Sequence, residues 1–259
     1  MPGMGRCGRK NLRGLIFDVD GVLVDSPHER AWGETLKLLM ETEWQDIRST
    51  TSYAPDKYTN ALYQAHVAGK PRLSGAQSLL ACFHVPDPDG ARARRLAERK
   101  QALIISLIER GEFTAYDDAL RFVLLARSKG YKLAAASSSK NANAMLKRVS
   151  LAAFCQTEGL HYDFVEPDTM LIDLFDANLC GRTFAQGKPH PDIFLTSARE
   201  LGLPPVDCVV VEDAVAGVQA AKAGGMACIG VARFGDRPGL EAAGADWVVS
   251  RLDEIIWML

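Results

Sequence analysis

The chain lacks most of the features that assign a protein's class from composition alone. No apolar run approaches the roughly 20 residues that cross a bilayer, so no membrane partner is expected. Six cysteines (Cys7, Cys82, Cys155, Cys180, Cys208 and Cys228) include no Cys-x-x-Cys pair, which supports neither a zinc site nor a disulfide framework. Cys208 and Cys228 lie in apolar runs and read as small core residues. A reducing, cytoplasmic compartment is the expectation. Neither sign of charge dominates: 30 Lys and Arg face 32 Asp and Glu, a net charge of −2. That balance argues against nucleic acid as a partner. The basic, Gly-rich stretch Met1–Arg13 has no apolar segment behind it, so it reads as a frayed tail and not as a secretory leader. There is no internal repeat and no low-complexity tract. What remains is an ordinary globular composition, 47% hydrophobic over 259 residues, enough for one large domain or a core with an inserted one.

Short apolar runs recur at 15–19, 132–136, 208–211, 227–231 and 247–249, each followed by a helical pattern. The predicted helices cover 117–129, 141–148, 191–201, 214–223 and 252–257. This alternation predicts an α/β fold, a parallel sheet with helices on both faces. One stretch departs from it. From about His28 to Gly111 the pattern is helical throughout, with long amphipathic segments at 31–41 and 92–109, as a helical module inserted after the first strand would give. Its linkers fall near Asp25–His28 and Gly111–Tyr116. The stretch Ser150–Met170 shows no clear period.

Four clusters of chemically capable residues sit at strand ends. In Leu15-Ile16-Phe17-Asp18-Val19-Asp20-Gly21 an apolar strand runs into two carboxylates two residues apart, hence on one face. Ligand crevices in such sheets open at the carboxyl ends of strands. Two carboxylates there can hold a hard cation, and one can attack phosphorus. A calcium loop is the competing match, with Glu29 at its twelfth position, but Leu23 stands where that loop needs glycine. The second cluster, Ser137-Ser138-Ser139-Lys140-Asn141, opens a helix; it suits either a phosphate cradle or ordinary capping. The third is Gly187-Lys188-Pro189-His190-Pro191-Asp192, where Lys188 can reach a phosphate as a point charge. The fourth is Val211-Glu212-Asp213, again an apolar strand ending in acids. It leads into a helix rich in small residues (Ala214, Gly217, Ala220, Ala221, Ala223).

The order of acids, serine, lysine and acids resembles the haloacid dehalogenase (HAD) superfamily of phosphotransferases, whose four motifs are all present between residues 18 and 213. Within it the chain is similar to the β-phosphoglucomutase branch. Ser137–Asn141 matches that branch's Ser-x-Ser-Lys-Asn segment. Gly69-Lys70-Pro71-Arg72 falls where its helical cap presents an arginine, and Leu96-Ala97-Glu98-Arg99-Lys100 resembles a cap segment supplying a second basic contact. His28 matches a cap-linker histidine with two residues fewer in the linker, and 150–170 is longer than the branch's pattern.

The resemblance implies a Rossmann-like core formed by residues 1–27 and 112–259, with a helical cap at 28–111. It implies Asp18 as nucleophile and Asp20 as general acid and base. Ser137, Ser138, Asn141 and Lys188 would bind phosphate, while Gly69, Arg72, Lys100 and His28 would face substrate from the cap. Mg²⁺ would be held among Asp18, Asp20, Glu212 and Asp213. The implied activity interconverts β-glucose 1-phosphate and glucose 6-phosphate, or else hydrolyses small sugar or polyol phosphates. A non-catalytic binding protein is the third reading, and the intact acid set argues against it. The implied partner is a small phosphorylated sugar, and the implied state a monomer or weak homodimer.

Overall fold

Burial of the alternating apolar runs produces a six-stranded sheet in the order β5-β4-β1-β6-β7-β8, every pairing parallel. The computed structural model describes residues 12–259; the tail expected before them, with Cys7, lies outside the described residues. The first half of the chain runs β1 (Gly14–Phe17), β2 (Val24–Asp25), α1 (His28–Glu41), α2 (Asn60–His66), α3 (Arg72–Cys82), α4 (Ala91–Glu109), β3 (Thr114–Ala115) and α5 (Asp117–Ser128). Then come β4 (Lys132–Ala135), α6 (Ala142–Leu146), α7 (Leu151–Glu158), β5 (Ala177–Asn178) and α8 (Asp192–Leu201). The chain closes with β6 (Cys208–Glu212), α9 (Val215–Ala223), β7 (Ala227–Val231), α10 (Arg237–Ala242), β8 (Trp247–Val249) and a 3₁₀ turn at Leu252–Met258.

Register explains where a site can form. Phe17, the last residue of β1, pairs with Ala135 of β4 on one side and Val211 of β6 on the other. The strand order reverses about β1, so the segments leaving β1, β4 and β6 emerge side by side at the carboxyl edge of the sheet.

The two faces of β1 serve two cores. Leu15 and Phe17 join Phe122 and Val123 of α5 and Val209 and Val211 of β6. Ile16 faces Phe194 and Leu201 of α8 and Val218 of α9. Phe17 meets Phe122 edge-on, with ring centroids 6.2 Å apart. A third apolar cluster draws only on residues 32–97, among them Trp32, Leu36, Leu79 and Leu96. The helical stretch thus has a small core of its own. The chain leaves for it and returns through the antiparallel pair β2–β3.

Some elements differ from the sequence pattern. The aperiodic 150–170 stretch contains α7, whose first turn is capped by Ser150 Oγ accepting from Ala153 N at 3.2 Å and whose end is Gly159 at φ +66°. Only Leu151 and Cys155 of α7 are buried, too few for a periodic signal. The predicted C-terminal helix is a 3₁₀ turn, because its buried residues Leu252 and Ile255 lie three apart. Strands β2, β3 and β5 have two residues each and carry no run to read. The five described cysteines are free, and among the described residues no helix is long and apolar enough to cross a membrane.

Phe122 is fully buried against β1, so Phe122→Ala is expected to cost about 3–5 kcal/mol of stability. Urea denaturation followed by circular dichroism measures this; a loss below about 1 kcal/mol would contradict its place in the core.

Candidate active site

Four segments meet at the carboxyl edge of the sheet around one buried ammonium. Lys188, from the loop before α8, donates to Asp18 Oδ1 at 2.6 Å, to Glu212 Oε1 at 2.5 Å and to the carbonyl of Ala136 at 3.3 Å. Its side chain is 0% exposed and lies over the ring of Phe194. Burial alone would push the ammonium's pKa down, but Asp18 and Glu212 overcome this and hold it above the ordinary value. Burial pushes both Asp18 and Glu212 up, against the pull of Lys188. Backbone bonds from Asp18 N to Val211 O (2.9 Å) and from Ala136 N to Phe17 O (2.8 Å) extend the ladder to the site's edge and fix these positions.

Asp20 lies beside this group and faces differently. Its Oδ2 accepts from Ser137 Oγ at 3.2 Å. Its Oδ1 is buried, lies 3.3 Å from His28 Nε2 and accepts no aligned hydrogen bond. Burial raises the Asp20 pKa. His28, the first residue of α1, is buried too; burial, then the nearby Lys100 charge, holds its pKa well below the usual value. Lys100 Nζ donates to His28 Nδ1, which leaves the proton on Nε2, facing Ser139 Oγ at 3.1 Å. Burial pushes Lys100 down to about 7, with Asp20 opposing and Arg72 adding to the shift.

The four acids expected at a metal are not drawn into one cage. Among the described residues no three or more His, Cys, Asp or Glu side chains converge as a metal site. Glu212 is engaged at both oxygens, Oε1 by Lys188 and Oε2 by the N–H groups of Asp213 (3.1 Å) and Ala214 (3.2 Å). The Asp20 carboxyl turns to Ser137 and His28. Asp18 and Asp213 remain. Asp213 carries no hydrogen bond that would lower its pKa, which burial and then the charges of Glu212 and Asp18 push well up. Its carboxyl sits against Gly21, at φ +81°, where a Cβ would fall 2.0 Å from Oδ2. Crowded oxygen donors with excess negative charge fit a hard divalent cation. The fit rests on Asp18 and Asp213, with Glu212 behind them.

The remaining expected residues divide into cleft wall and bracing. Ser137 Oγ also accepts from Ser139 N at 3.0 Å, which ties the serine loop into the site. Ser138 lines the cleft, whose volume is about 340 Å³. Asn141 lines it as well, but its amide is paired with Gln101 of α4, which donates to Oδ1 at 2.8 Å and accepts at 3.4 Å. Arg72, at the start of α3, is an exposed residue of the cleft wall. Gly69, at φ +72°, passes so close to α9 that a Cβ would lie 3.1 Å from that of Ala214. Sequence reasoning missed Gln101, Tyr63 on the cleft wall, and the pair Arg233–Asp118 behind it. Gln101 directly follows Lys100 and was within reach; Arg233 and Asp118 are brought together only by the fold.

Gly217 exists to admit Glu212: a Cβ there would fall 1.9 Å from Glu212 Cδ. Gly217→Ala must therefore push the carboxylate off Lys188 and the α9 N-terminus. Turnover is expected to fall about 100-fold with the circular dichroism spectrum unchanged. Activity within about twofold of the parent would show that Glu212 does not steady the site.

Comparison with known proteins identifies the family of the chain. The family model described as haloacid dehalogenase-like hydrolase matches residues 12–225. A β-phosphoglucomutase of Mycobacterium tuberculosis is 29% identical over 261 residues, covering 95% of this chain and 92% of that one. A phosphorylated carbohydrates phosphatase of Thermotoga maritima is 29% identical over 217 residues, covering 83% and 82%. The crystal structure of an archaeal β-phosphoglucomutase from Pyrococcus superposes with a TM-score of 0.66 at 28% identity, over 93% of this chain and 94% of that one. The parallel sheet with its helices, the four strand-end clusters and the match through residue 225 lead to one assignment: this chain is an enzyme belonging to the haloacid dehalogenase-like hydrolase family.

Proposed function

We propose that the chain is a phosphoryl-transfer enzyme that interconverts β-glucose 1-phosphate and glucose 6-phosphate, with residues 28–111 as a cap over a core of 1–27 and 112–259. The observation that carries this is the pairing of two unlike carboxyls: Asp18 held by a buried lysine, and Asp20, a residue of the cleft wall, with one buried oxygen that accepts no hydrogen bond. Asp18 attacks phosphorus, and the bond to the leaving sugar oxygen breaks as the phosphoryl group passes to the Asp18 carboxylate. Asp20, whose raised pKa keeps its protonated form within reach, gives its proton to that oxygen. In the second half it takes the proton of the accepting hydroxyl as the group returns to the sugar. Lys188 balances charge at the nucleophile throughout. Ser137 and Ser138 border the transferring group, and Arg72 and Lys100 face the distal phosphate from the cap. Asp18 and Asp213 would hold Mg²⁺, which when bound supplies positive charge against the phosphoryl oxygens.

The second reading is hydrolysis of small sugar phosphates, and the similarity to the Thermotoga maritima phosphatase supports it. The chemistry at Asp18 is shared, and the two readings differ in whether water or a sugar hydroxyl takes the phosphoryl group. We place the enzyme in the cytoplasm, as a monomer or weak homodimer acting on a small phosphorylated sugar.

The deciding assay supplies Mg²⁺, β-glucose 1-phosphate and a trace of glucose 1,6-bisphosphate, and follows glucose 6-phosphate and free phosphate together. Glucose 6-phosphate with little free phosphate is expected; free phosphate keeping pace with substrate loss would establish the phosphatase instead. Asp18→Asn is expected to abolish both outcomes with the fold intact, and near-parental turnover would remove it as nucleophile. Arg72→Ala is expected to cost the mutase reaction about 1.5–3 kcal/mol while sparing hydrolysis of p-nitrophenyl phosphate. Equal losses on both substrates would rule out a distal-phosphate contact. EDTA is expected to silence the enzyme and Mg²⁺ to restore it; turnover indifferent to both would refute the cation site.

A further inference from the structure

Behind the cleft, an ion pair that lines no part of it grips the turn that carries Asp20. Arg233 follows β7 and Asp118 lies in the first turn of α5; their side chains are 7% and 2% exposed. Arg233 donates through Nε to the carbonyl of Gly21 and through Nη2 to that of Val22, both at 3.0 Å. Through Nη1 it meets both oxygens of Asp118 at 3.2 Å. The guanidinium lies 3.7 Å from the ring centre of Tyr116, and Asp118 also accepts from Leu252 N at 2.7 Å.

The turn needs such a grip. Its own bonds run from Gly21 N to Val24 O, from Leu23 N to Val19 O and from Val24 N to Val19 O. They leave the carbonyls of Gly21 and Val22 without partners inside the turn. Gly21, at φ +81°, is the freest residue of the segment and directly follows Asp20. A buried ion pair is poor value as stabilisation alone, since an apolar pair of similar volume often does as well. The guanidinium offers what an apolar pair cannot, a planar fork that engages two successive carbonyls at once.

We propose that Arg233 and Asp118 are positioning residues that hold the turn Asp20–Val24 so that the Asp20 carboxyl is aimed at the leaving oxygen. This rests on the reading of Asp20 as general acid. It assigns to the pair a part in aiming the acid through its backbone, beside the hydrogen bond that Ser137 Oγ gives its carboxyl.

The experiment compares two small aryl substrates that ask the same of the cap. p-Nitrophenyl phosphate has a leaving group that departs without a proton, whereas phenyl phosphate has a more basic one that needs the acid. The readout is the ratio of kcat/KM values for the two, which cancels any inactive fraction of a preparation. Arg233→Lys keeps the charge but loses the fork, and Asp118→Asn removes the counter-charge. Both are expected to raise the ratio about tenfold over the parent, in the direction of Asp20→Asn. Leu203→Ala, a core change beside Gly14 at the opposite, amino edge of the sheet, is expected to leave it unchanged. A raised ratio in Asp20→Asn with a parental ratio in both clamp variants would overturn the positioning role alone. A parental ratio in Asp20→Asn would overturn the acid reading and the positioning role with it. Should either single variant fail to fold, the charge-neutral pair Arg233→Met with Asp118→Leu leaves no orphaned charge and carries the same expectation.

Discussion

The site depends on one buried ammonium shared by two carboxylates. The Lys188 side chain is fully buried, and its charge is balanced by Asp18 and Glu212. Removing one member of such a group leaves buried charge uncompensated, which commonly costs several kcal/mol. The dependence runs on from there. Glu212, held by Lys188, also accepts from the N–H groups that begin α9, so the same carboxylate sets the path of the backbone at Asp213. Gly217, one turn into α9, leaves the space that lets it do so. Asp18, the candidate cation ligand Asp213 and the start of α9 are therefore a single mechanical unit, and they meet because β1 lies between β4 and β6.

On the helical side the balance is struck differently. Lys100 is buried beside neutral His28; burial, with the Arg72 charge adding to it, pushes its pKa down to about 7 even though the ammonium lies over the face of Trp32. His28 stands between Lys100 and Asp20, receiving from one and facing the other through its two ring nitrogens. A neutral imidazole here separates the cationic side of the cleft from the acidic side without adding charge to either. An anion entering the cleft from the Lys100 side would favour the charged lysine, while the core side already holds its charges in balance.

Much of this was legible in the chain, for a physical reason. Strands β1, β6 and β7 are buried throughout and β4 beyond Lys132, so each reads as an apolar run, and the acids or serines that follow β1, β4 and β6 mark the sheet's carboxyl edge. Asp18, Asp20, Ser137, Lys188, Glu212 and Asp213 are brought together as that edge requires. The division of labour among them was not legible. That Glu212 faces Lys188 and a helix N-terminus, and not a cation site, depends on side-chain direction within a packed group. Asn141 reads as a phosphate contact until Gln101, 40 residues earlier, is seen paired with its amide. Arg233 and Asp118 are 115 residues apart and belong to no motif. A lone arginine in a Gly- and Pro-containing loop reads as surface, and only the tertiary fold makes it a buried fork. Strands β2, β3 and β5 were missed because two residues carry no period.

The fate of the phosphoryl group turns on a different set of contacts from those that move it. Asp18, Asp20 and Lys188 would serve hydrolysis and transfer alike, since both pass through the same covalent state. On the proposed reading, selection between water and a sugar hydroxyl would come from whatever closes the cleft while the phosphoryl group resides on Asp18. Apart from His28, which meets Ser139 Oγ and Asp20 Oδ1, the contacts across the cleft are of two kinds. Gly69 against Ala214, and Pro71 against Gly187, where a Cβ would meet Pro71 Cγ at 2.7 Å, are tight and apolar and exclude water by fit. The amide pair Gln101–Asn141 is neutral and reciprocal, and either amide can hydrogen-bond water as readily when the cleft opens. Neither kind draws the helical segment down by charge. A bound sugar phosphate whose distal charge meets Arg72 and Lys100 would add a charged contact that favours closure. On the proposed reading, the substrate itself keeps water out, and an aryl phosphate with no distal charge leaves the same nucleophile open to hydrolysis.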